Sequence, residues 1–145
     1  MARTTETSKL ARELAPRMSR LVRVLLRDSG VSRTQLAVLR TLSDVGPCRV
    51  TELAASEHVA QPSMTALVKR LEGRGWVERR AHATDGRVAE IAITADGRDA
   101  LARVSESAAA TLAARLGGLD AAELDVLTAA IPILDRLVAP EGSVR

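Results

Sequence analysis

Residues 51–94 read TELAASEHVA (51–60), QPSMTALVKRLEGRGWVERR (61–80), AHATDGR (81–87) and VAEIAIT (88–94), and this stretch decides the fold. Apolar residues at i, i+3, i+4 and i+7 predict a helix after the turn at 58–61, and alternating apolar residues predict strands on both sides of a basic loop. A short helix, a turn, a second helix and a hairpin in this order are typical of a winged helix-turn-helix. We therefore predict that fold.

The second helix of this segment has two contrasting faces. Met64, Leu67, Val68 and Leu71 fall on one stripe, which predicts a buried face. The opposite face is small, polar and basic, so it can approach a major groove and meet base edges and phosphates. Free N–H groups at the helix start favour a phosphate, and Lys69 suits a phosphate better than a base. The candidate DNA-binding residues here are Gln61, Pro62, Ser63, Thr65 and Lys69.

The loop between the two strands is long and basic. Asp85 and Gly86 are a strong turn signal that directs Arg87 outward. A guanidinium at such a tip can enter a narrow minor groove, where the negative potential is enhanced, while Asp85 holds it in place. Arg79 and Arg80 precede the loop and are candidates for backbone contacts that make binding depend on salt. The alternative for Asp85 and Arg87 is a salt bridge that stabilises the turn without touching DNA.

Two amphipathic helices precede this segment. The first is expected to end near residues 28–30, and the S-x-x-Q pattern of Ser32 and Gln35 predicts a capping box at the start of the second. Spacings of 4, 4, 3 and 4 place the apolar residues of the first helix on one face: Leu10, Leu14, Met18, Leu21 and Leu25.

A short extended piece and a short helix lead into the central segment. Residues 48–50 are expected to be extended, and Thr51 is expected to cap a helix over residues 52–57. Pro62 suits the first position of the next helix, where its missing N–H costs nothing.

Two further helices follow the hairpin. Thr94 is expected to cap the first, which Gly117 and Gly118 end, and Asp120 with Glu123 has the spacing of a second capping box. Pro132 is expected to bend the last helix. The last helix carries a heptad-like apolar seam that can pack against another helix: Leu124, Leu127, Ile131, Leu134 and Val138.

The chain resembles the MarR family of bacterial transcriptional regulators over nearly all of its 145 residues. The resemblance rests on VTELAASEHVAQPSMTALVKRLEGRGWVER (50–79), on the D-x-R of Asp85 and Arg87, and on ITADGR (93–98). It implies a mainly α (α+β) fold in one chain, residues 1–145, with a winged helix-turn-helix lobe over 32–93. Residues 5–29 and 95–139 would form the helical dimerisation region. Ala66 stands where the family commonly has Arg or another polar residue.

The resemblance also implies a function. It indicates a sequence-specific DNA-binding regulator, more often a repressor, that binds a pseudo-palindromic operator as a homodimer. A two-fold dimer places two recognition helices about 34 Å apart, which is one turn of B-DNA. The terminal apolar stripes provide surface for such pairing, although a purely intrachain helical core is the alternative.

A small-molecule effector is a further implication of the resemblance. In the family, anionic or phenolic ligands often bind between the dimerisation helices and the winged lobe. Arg17, Arg20 and Trp76 are the candidate pocket residues here, although a solvated or DNA-facing arginine stripe is an alternative for the arginines. Because the chain has no Phe or Tyr, the sequence predicts an aliphatic ligand or none.

Composition bounds the cellular setting. The 46% hydrophobic and 27% charged residues are typical of a globular protein, and no run of about 18 apolar residues could span a membrane. Cys48 is the only cysteine, so a reducing, cytoplasmic setting without disulfides is expected. Thiol sensors of the family carry their cysteine in the first helix, so Cys48 is interpreted as structural. His58 and His82 lack ligand spacing with it, and no metal or cofactor is expected.

Charge and motifs leave two alternatives open. Net charge is +6 over residues 1–40, zero over 41–93 and −3 over 94–145. An enzyme is not expected, because the sequence has no glycine-rich phosphate loop and no nucleophile with a plausible base. A sequence-independent architectural DNA-binding protein could share the same helix and wing. A winged-helix protein-interaction module is the second alternative, and the neutral central segment favours it.

Overall fold

The computed structural model of the chain describes residues 2–81, 84, 86 and 89–139. It is mainly helical with one two-stranded antiparallel sheet, which confirms the predicted fold class. The elements in chain order are α1 (Ala2–Leu25), α2 (Arg33–Asp44), α3 (Val50–Ser56), α4 (Gln61–Gly73), β1 (Val77–Ala81), β2 (Ala89–Ile93), α5 (Ala95–Leu116) and α6 (Ala121–Val138).

The core lies where α2, α3, α4 and the hairpin meet. The predicted stripe of α4 is buried, with Met64, Val68 and Leu71 fully inaccessible to solvent. Leu53 of α3 and Ile91 of β2 are equally inaccessible and belong to the same cluster. Burying side chains of this size contributes about 1.5–3 kcal/mol each, so the core fixes the orientation of α4 and exposes its other face.

The sheet is a hairpin with one additional bridge. Val77 pairs with Ile93 at its base, and Ala81 pairs with Ala89 toward the loop. Cys48 bridges Ile91 through two backbone hydrogen bonds of 3.1 and 2.8 Å. The expected extended piece at 48–50 is therefore shorter than predicted, since Val50 already belongs to α3.

Three predicted helix starts are confirmed. The Gln35 N–H donates to Ser32 Oγ while the Ser32 N–H donates to Gln35 Oε1, which completes a capping box. The same reciprocal pair begins α6 at Asp120 and Glu123. At the start of α5, the Gly97 N–H donates to Thr94 Oγ1 at 3.0 Å.

Two boundary predictions were wrong by one or two residues. The cap of α3 is Arg49 rather than Thr51, because the Glu52 carboxylate reaches back and accepts the Arg49 N–H at 2.7 Å. Pro62 is the second residue of α4, and Gln61 is the first. The proline still costs no hydrogen bond, since the first four N–H groups of a helix have no partner within it.

The chain divides into two compact units, Met1–Ala109 and Ala110–Arg145. In the first unit, the apolar stripe of α1 is 42–57% exposed at Leu10, Leu14, Met18 and Leu21. In the second unit, the predicted seam of α6 is also exposed, and α6 continues through Pro132. No helix in the described part of the chain is long and apolar enough to span a membrane.

One glycine is required by close packing. Gly97, in the first turn of α5, lies against the backbone of Trp76, and a Cβ at this position would overlap the Trp76 carbonyl oxygen and lie 2.8 Å from Ile93 Cγ1. The Thr94 N–H donates to that same carbonyl. The start of α5 is therefore held directly against the start of β1.

Candidate nucleic-acid interface

The exposed face of α4 carries all five residues predicted on this helix. Gln61, Pro62, Ser63, Thr65 and Lys69 are solvent-exposed, because the four buried residues on the opposite side fix the rotation of the helix. Residues 61–80 contain five basic and two acidic side chains. Although residues 41–93 have a net charge of zero, α4 and the residues directly after it are therefore basic.

Thr65 already uses its hydroxyl proton. Its Oγ1 donates to the Gln61 carbonyl at 2.9 Å, one turn earlier on α4. In this rotamer the oxygen offers only lone pairs to a ligand, so it accepts from donors such as the amino groups of adenine or cytosine.

The turn before α4 has an unusual backbone conformation. His58 has a φ of 52°, the only positive φ at a non-glycine position in the described residues. The Val59 N–H returns to the Ala54 carbonyl at 2.9 Å, and Val59 packs against the core. This turn fixes the angle between α3 and α4, and its conformation was not predicted from the sequence. A turn of four residues without glycine between two helices was the available signal.

The root of the hairpin holds two ion pairs that were not predicted from the sequence. Arg79 Nε lies 3.0 Å from Glu72 Oε1, which joins β1 to the last turn of α4. Arg80 pairs with Glu78 on its own strand. Both arginines remain partly exposed, so they can face DNA only while sharing their charge with a carboxylate.

The tip of the hairpin carries the remaining predicted contacts. Asp85 and Arg87 lie outside the described residues, so their predicted roles stay predictions. Thr84 and Gly86 are exposed.

Arg74 closes the other end of α4. Its guanidinium carbon lies 4.7 Å from the centroid of the Trp76 ring, and its Nη1 donates to the Gly30 carbonyl at 3.2 Å. The Glu72 carboxylate near this end of the helix pairs with Arg79 and not with Arg74. The hydrogen bond to Gly30 connects the end of α4 to the loop between α1 and α2, and the cation–π contact holds the guanidinium against Trp76.

The three predicted effector residues do not share one pocket. Trp76 borders a cavity of about 260 Å³ whose polar lining includes Asp28, Ser29, Arg103 and Ser107. Arg20 lines a separate surface depression. Arg17 Nη1 donates to the Glu13 carbonyl of its own helix at 2.6 Å.

Cys48 is buried at the edge of the sheet. Burial raises the pKa of its thiol above the ordinary value, and the nearby carboxylates of Glu52 and Glu90 raise it further. Because the thiolate is the reactive form, these surroundings make the sulfur a poor nucleophile. This supports the interpretation of Cys48 as a structural residue.

Comparison with known proteins relates this geometry to one family. The sequence model of the MarR family matches residues 31–89, which include α2, α3, α4 and β1. An HTH-type transcriptional regulator of Mycobacterium bovis, Mb0904, is 34% identical over 122 residues, which cover 84% of this chain and 85% of the relative.

Solved structures extend the likeness to the terminal helices. A transcriptional regulator protein from Pseudomonas aeruginosa is 28% identical, with a TM-score of 0.77 over 91% of this chain and 95% of its own. A MarR family protein from Bacillus stearothermophilus is 25% identical, with a TM-score of 0.70 over 93% of this chain and 94% of its own.

Proposed function

Because this chain belongs to the MarR family of DNA-binding transcriptional regulators, we propose that it binds a pseudo-palindromic operator as a homodimer and represses transcription. The observation that carries the proposal is the exposed, polar and basic face of α4, held outward by a fully buried apolar stripe on the same helix. A repressor of this kind acts by occupying DNA that RNA polymerase needs, and it would work in the cytoplasm.

The homodimer rests on exposed apolar surface at both ends of the chain. Besides the stripe of α1, the seam of α6 exposes Leu127, Ile131 and Leu134 by 44–55%. Contiguous apolar patches of this kind mark interaction sites on soluble proteins. A second copy would cover them, and two-fold symmetry would present two α4 helices to successive turns of one face of DNA.

The proposed contacts divide between the two grooves. The first turns of α4 would enter the major groove, with Ser63 and Thr65 toward base edges and Gln61, Pro62 and Lys69 toward phosphates. Arg87 would enter the adjacent minor groove with Asp85 orienting it, while Arg79 and Arg80 would lie beside the backbone. The phosphate contacts would fix the register, and the contacts to bases would provide the sequence preference.

The effector site that we propose is the Trp76 cavity. Its volume of about 260 Å³ lies just below the range of typical small-molecule pockets. Arg103 offers a guanidinium to a carboxylate, and the indole ring supplies an apolar wall. A small organic acid bound there would contact the same tryptophan that carries Arg74 at the end of α4, and would release the protein from DNA.

The proposal is tested by selecting bound duplexes from a random-sequence library and measuring affinity at several salt concentrations. We expect an inverted repeat with half-sites about 10 base pairs apart, bound more tightly than its scrambled version. Steep salt dependence without sequence preference would instead identify an architectural DNA-binding protein. Failure to bind any duplex would support a protein-interaction module.

A further inference from the structure

Glu72 is the only acidic residue of α4, and it lies at the edge of the proposed DNA-binding surface. It follows Thr65 by seven residues, so both lie on the same side of the helix, two turns apart. A carboxylate beside a phosphate backbone is unfavourable, and nothing in the core of α4 requires one at this position. The position of Glu72 therefore indicates a role within the binding surface.

The partner of Glu72 belongs to a different element. Arg79 stands third in β1, on the same face of the strand as the buried Val77, and this face turns toward α4. The 3.0 Å ion pair therefore connects the helix proposed to read the major groove with the strand that leads into the wing. The Glu78 pair with Arg80 differs, because both of its residues belong to β1.

The Glu72–Arg79 ion pair is sufficiently exposed to solvent for either side chain to change its partner. The side chains are 27% and 43% exposed, respectively, and an ion pair in contact with water is weak. Without the carboxylate, the guanidinium of Arg79 would be free to bind phosphates of any DNA sequence.

We propose that Glu72 is a specificity-determining residue that acts through Arg79. The carboxylate withholds one cation from sequence-independent phosphate binding, and the ion pair fixes the wing root relative to α4. Loss of the carboxylate then affects the two kinds of complex differently. Random DNA gains a phosphate contact, whereas the operator complex gains that contact but loses the preset spacing between helix and wing.

This inference rests on the proposed DNA-binding function, and its test separates the two. Glu72→Gln and its matched control Glu78→Gln, which makes the same change in charge, are compared with the wild-type protein. Each is titrated with a duplex of about 30 base pairs, three turns of B-DNA, that carries either the selected operator or random sequence. Preference of the wild-type protein for the operator tests the proposed function, and the difference between variants tests the role of Glu72.

For Glu72→Gln we expect roughly two- to fivefold tighter binding to random DNA. The dependence of log affinity on log salt should steepen by about 0.9, as expected for one added phosphate contact. The ratio of operator to random affinity should fall, whereas Glu78→Gln should leave that ratio unchanged. The charge-swapped double variant Glu72→Arg with Arg79→Glu restores the link between helix and strand, and it should recover most of the ratio.

Two results would overturn the inference. One is a Glu72→Gln protein with the salt dependence and the affinity ratio of the wild type. The other is an equal loss of ratio in Glu78→Gln, which would show that charge alone matters. Thermal unfolding of each variant confirms that the compared proteins are folded.

Discussion

His58 is the residue at which the backbone departs most from ordinary geometry. Its φ of 52° lies in the left-handed region, which costs a residue with a Cβ about 1–2 kcal/mol. The conformation is needed because the chain must reverse within four residues between α3 and α4. The orientation of α4 relative to α3 thus depends on a strained turn outside the helix itself.

Replacing His58 with glycine should stabilise the protein. Relief of the strain exceeds the entropy that glycine loses on folding, so the free energy of unfolding should rise by about 0.5–1 kcal/mol. Urea unfolding measures the change. Ala66→Gly, in the exposed interior of α4, is the control and should lower stability by about 1 kcal/mol. A destabilised His58→Gly protein would contradict the assignment of strain to this turn.

Arg87 is the residue on which we expect operator binding to depend most. Loss of a guanidinium from the minor groove should weaken operator binding about tenfold or more, and Arg87→Ala should leave the unfolding midpoint unchanged. Gel-shift titration at physiological salt provides the measurement. Arg12→Ala removes the same charge from the exposed surface of α1 and should have little effect. Equal affinity of Arg87→Ala and the wild-type protein would exclude the proposed wing contact.

At the scale of helices and strands, the sequence predicted the features that depend on residues close together in the chain. The capping boxes at Ser32 and Asp120 and the buried stripe of α4 were predicted because their partners lie within one or two turns. The cap at Arg49 was missed because an arginine side chain has no acceptor for the first N–H groups of the helix, so the usual cap residue types are absent there. Likewise, residue spacing along α4 cannot predict that Glu72 pairs with Arg79, because their contact depends on how β1 packs against the helix.

The same limit applies to the candidate site. The exposed face of α4 could be predicted, because its apolar stripe fixes which side faces the solvent. The grouping of Arg17 and Arg20 with Trp76 could not be tested by periodicity. The tryptophan lies toward α5, where Arg103 borders its cavity, whereas Arg20 lines a different surface.

The junction between α5 and β1 should tolerate no side chain at Gly97. A methyl group there would overlap the Trp76 carbonyl oxygen and crowd Ile93, so Gly97→Ala should lower the free energy of unfolding by about 3 kcal/mol. Chemical denaturation provides the measurement. Gly73→Ala is the control, because a Cβ there meets nothing within 4 Å, and alanine favours a helix. A wild-type stability for Gly97→Ala would mean that this junction is loosely packed.

At the scale of the whole molecule, the main feature is the exposed apolar surface of α1 and of α6. The winged lobe has a closed core of its own, with its largest side chains inaccessible to solvent. In contrast, described residues on both terminal helices leave leucine, isoleucine and valine side chains in water. This contrast supports the proposed dimer, in which a second copy would cover the terminal helices.

Placing a charge in the seam of α6 should break the proposed dimer. Leu127→Asp would bury an unpaired carboxylate between copies, so sedimentation should show a monomer. Operator affinity should fall by about a hundredfold or more, since one lobe loses the effective concentration provided by the other. Ala129→Asp adds the same charge at an exposed position on the opposite side of α6 and should remain dimeric. A dimeric Leu127→Asp protein would rule out this seam as the interface.

The position of Trp76 gives the protein its own optical reporter. The chain has no tyrosine or phenylalanine, so its near-ultraviolet fluorescence comes from a single indole ring. That ring has the guanidinium of Arg74 over one face and borders the cavity beside Arg103. Emission spectra of the unlabelled protein would therefore report two events at one place: entry of a molecule into the cavity and movement of the end of α4.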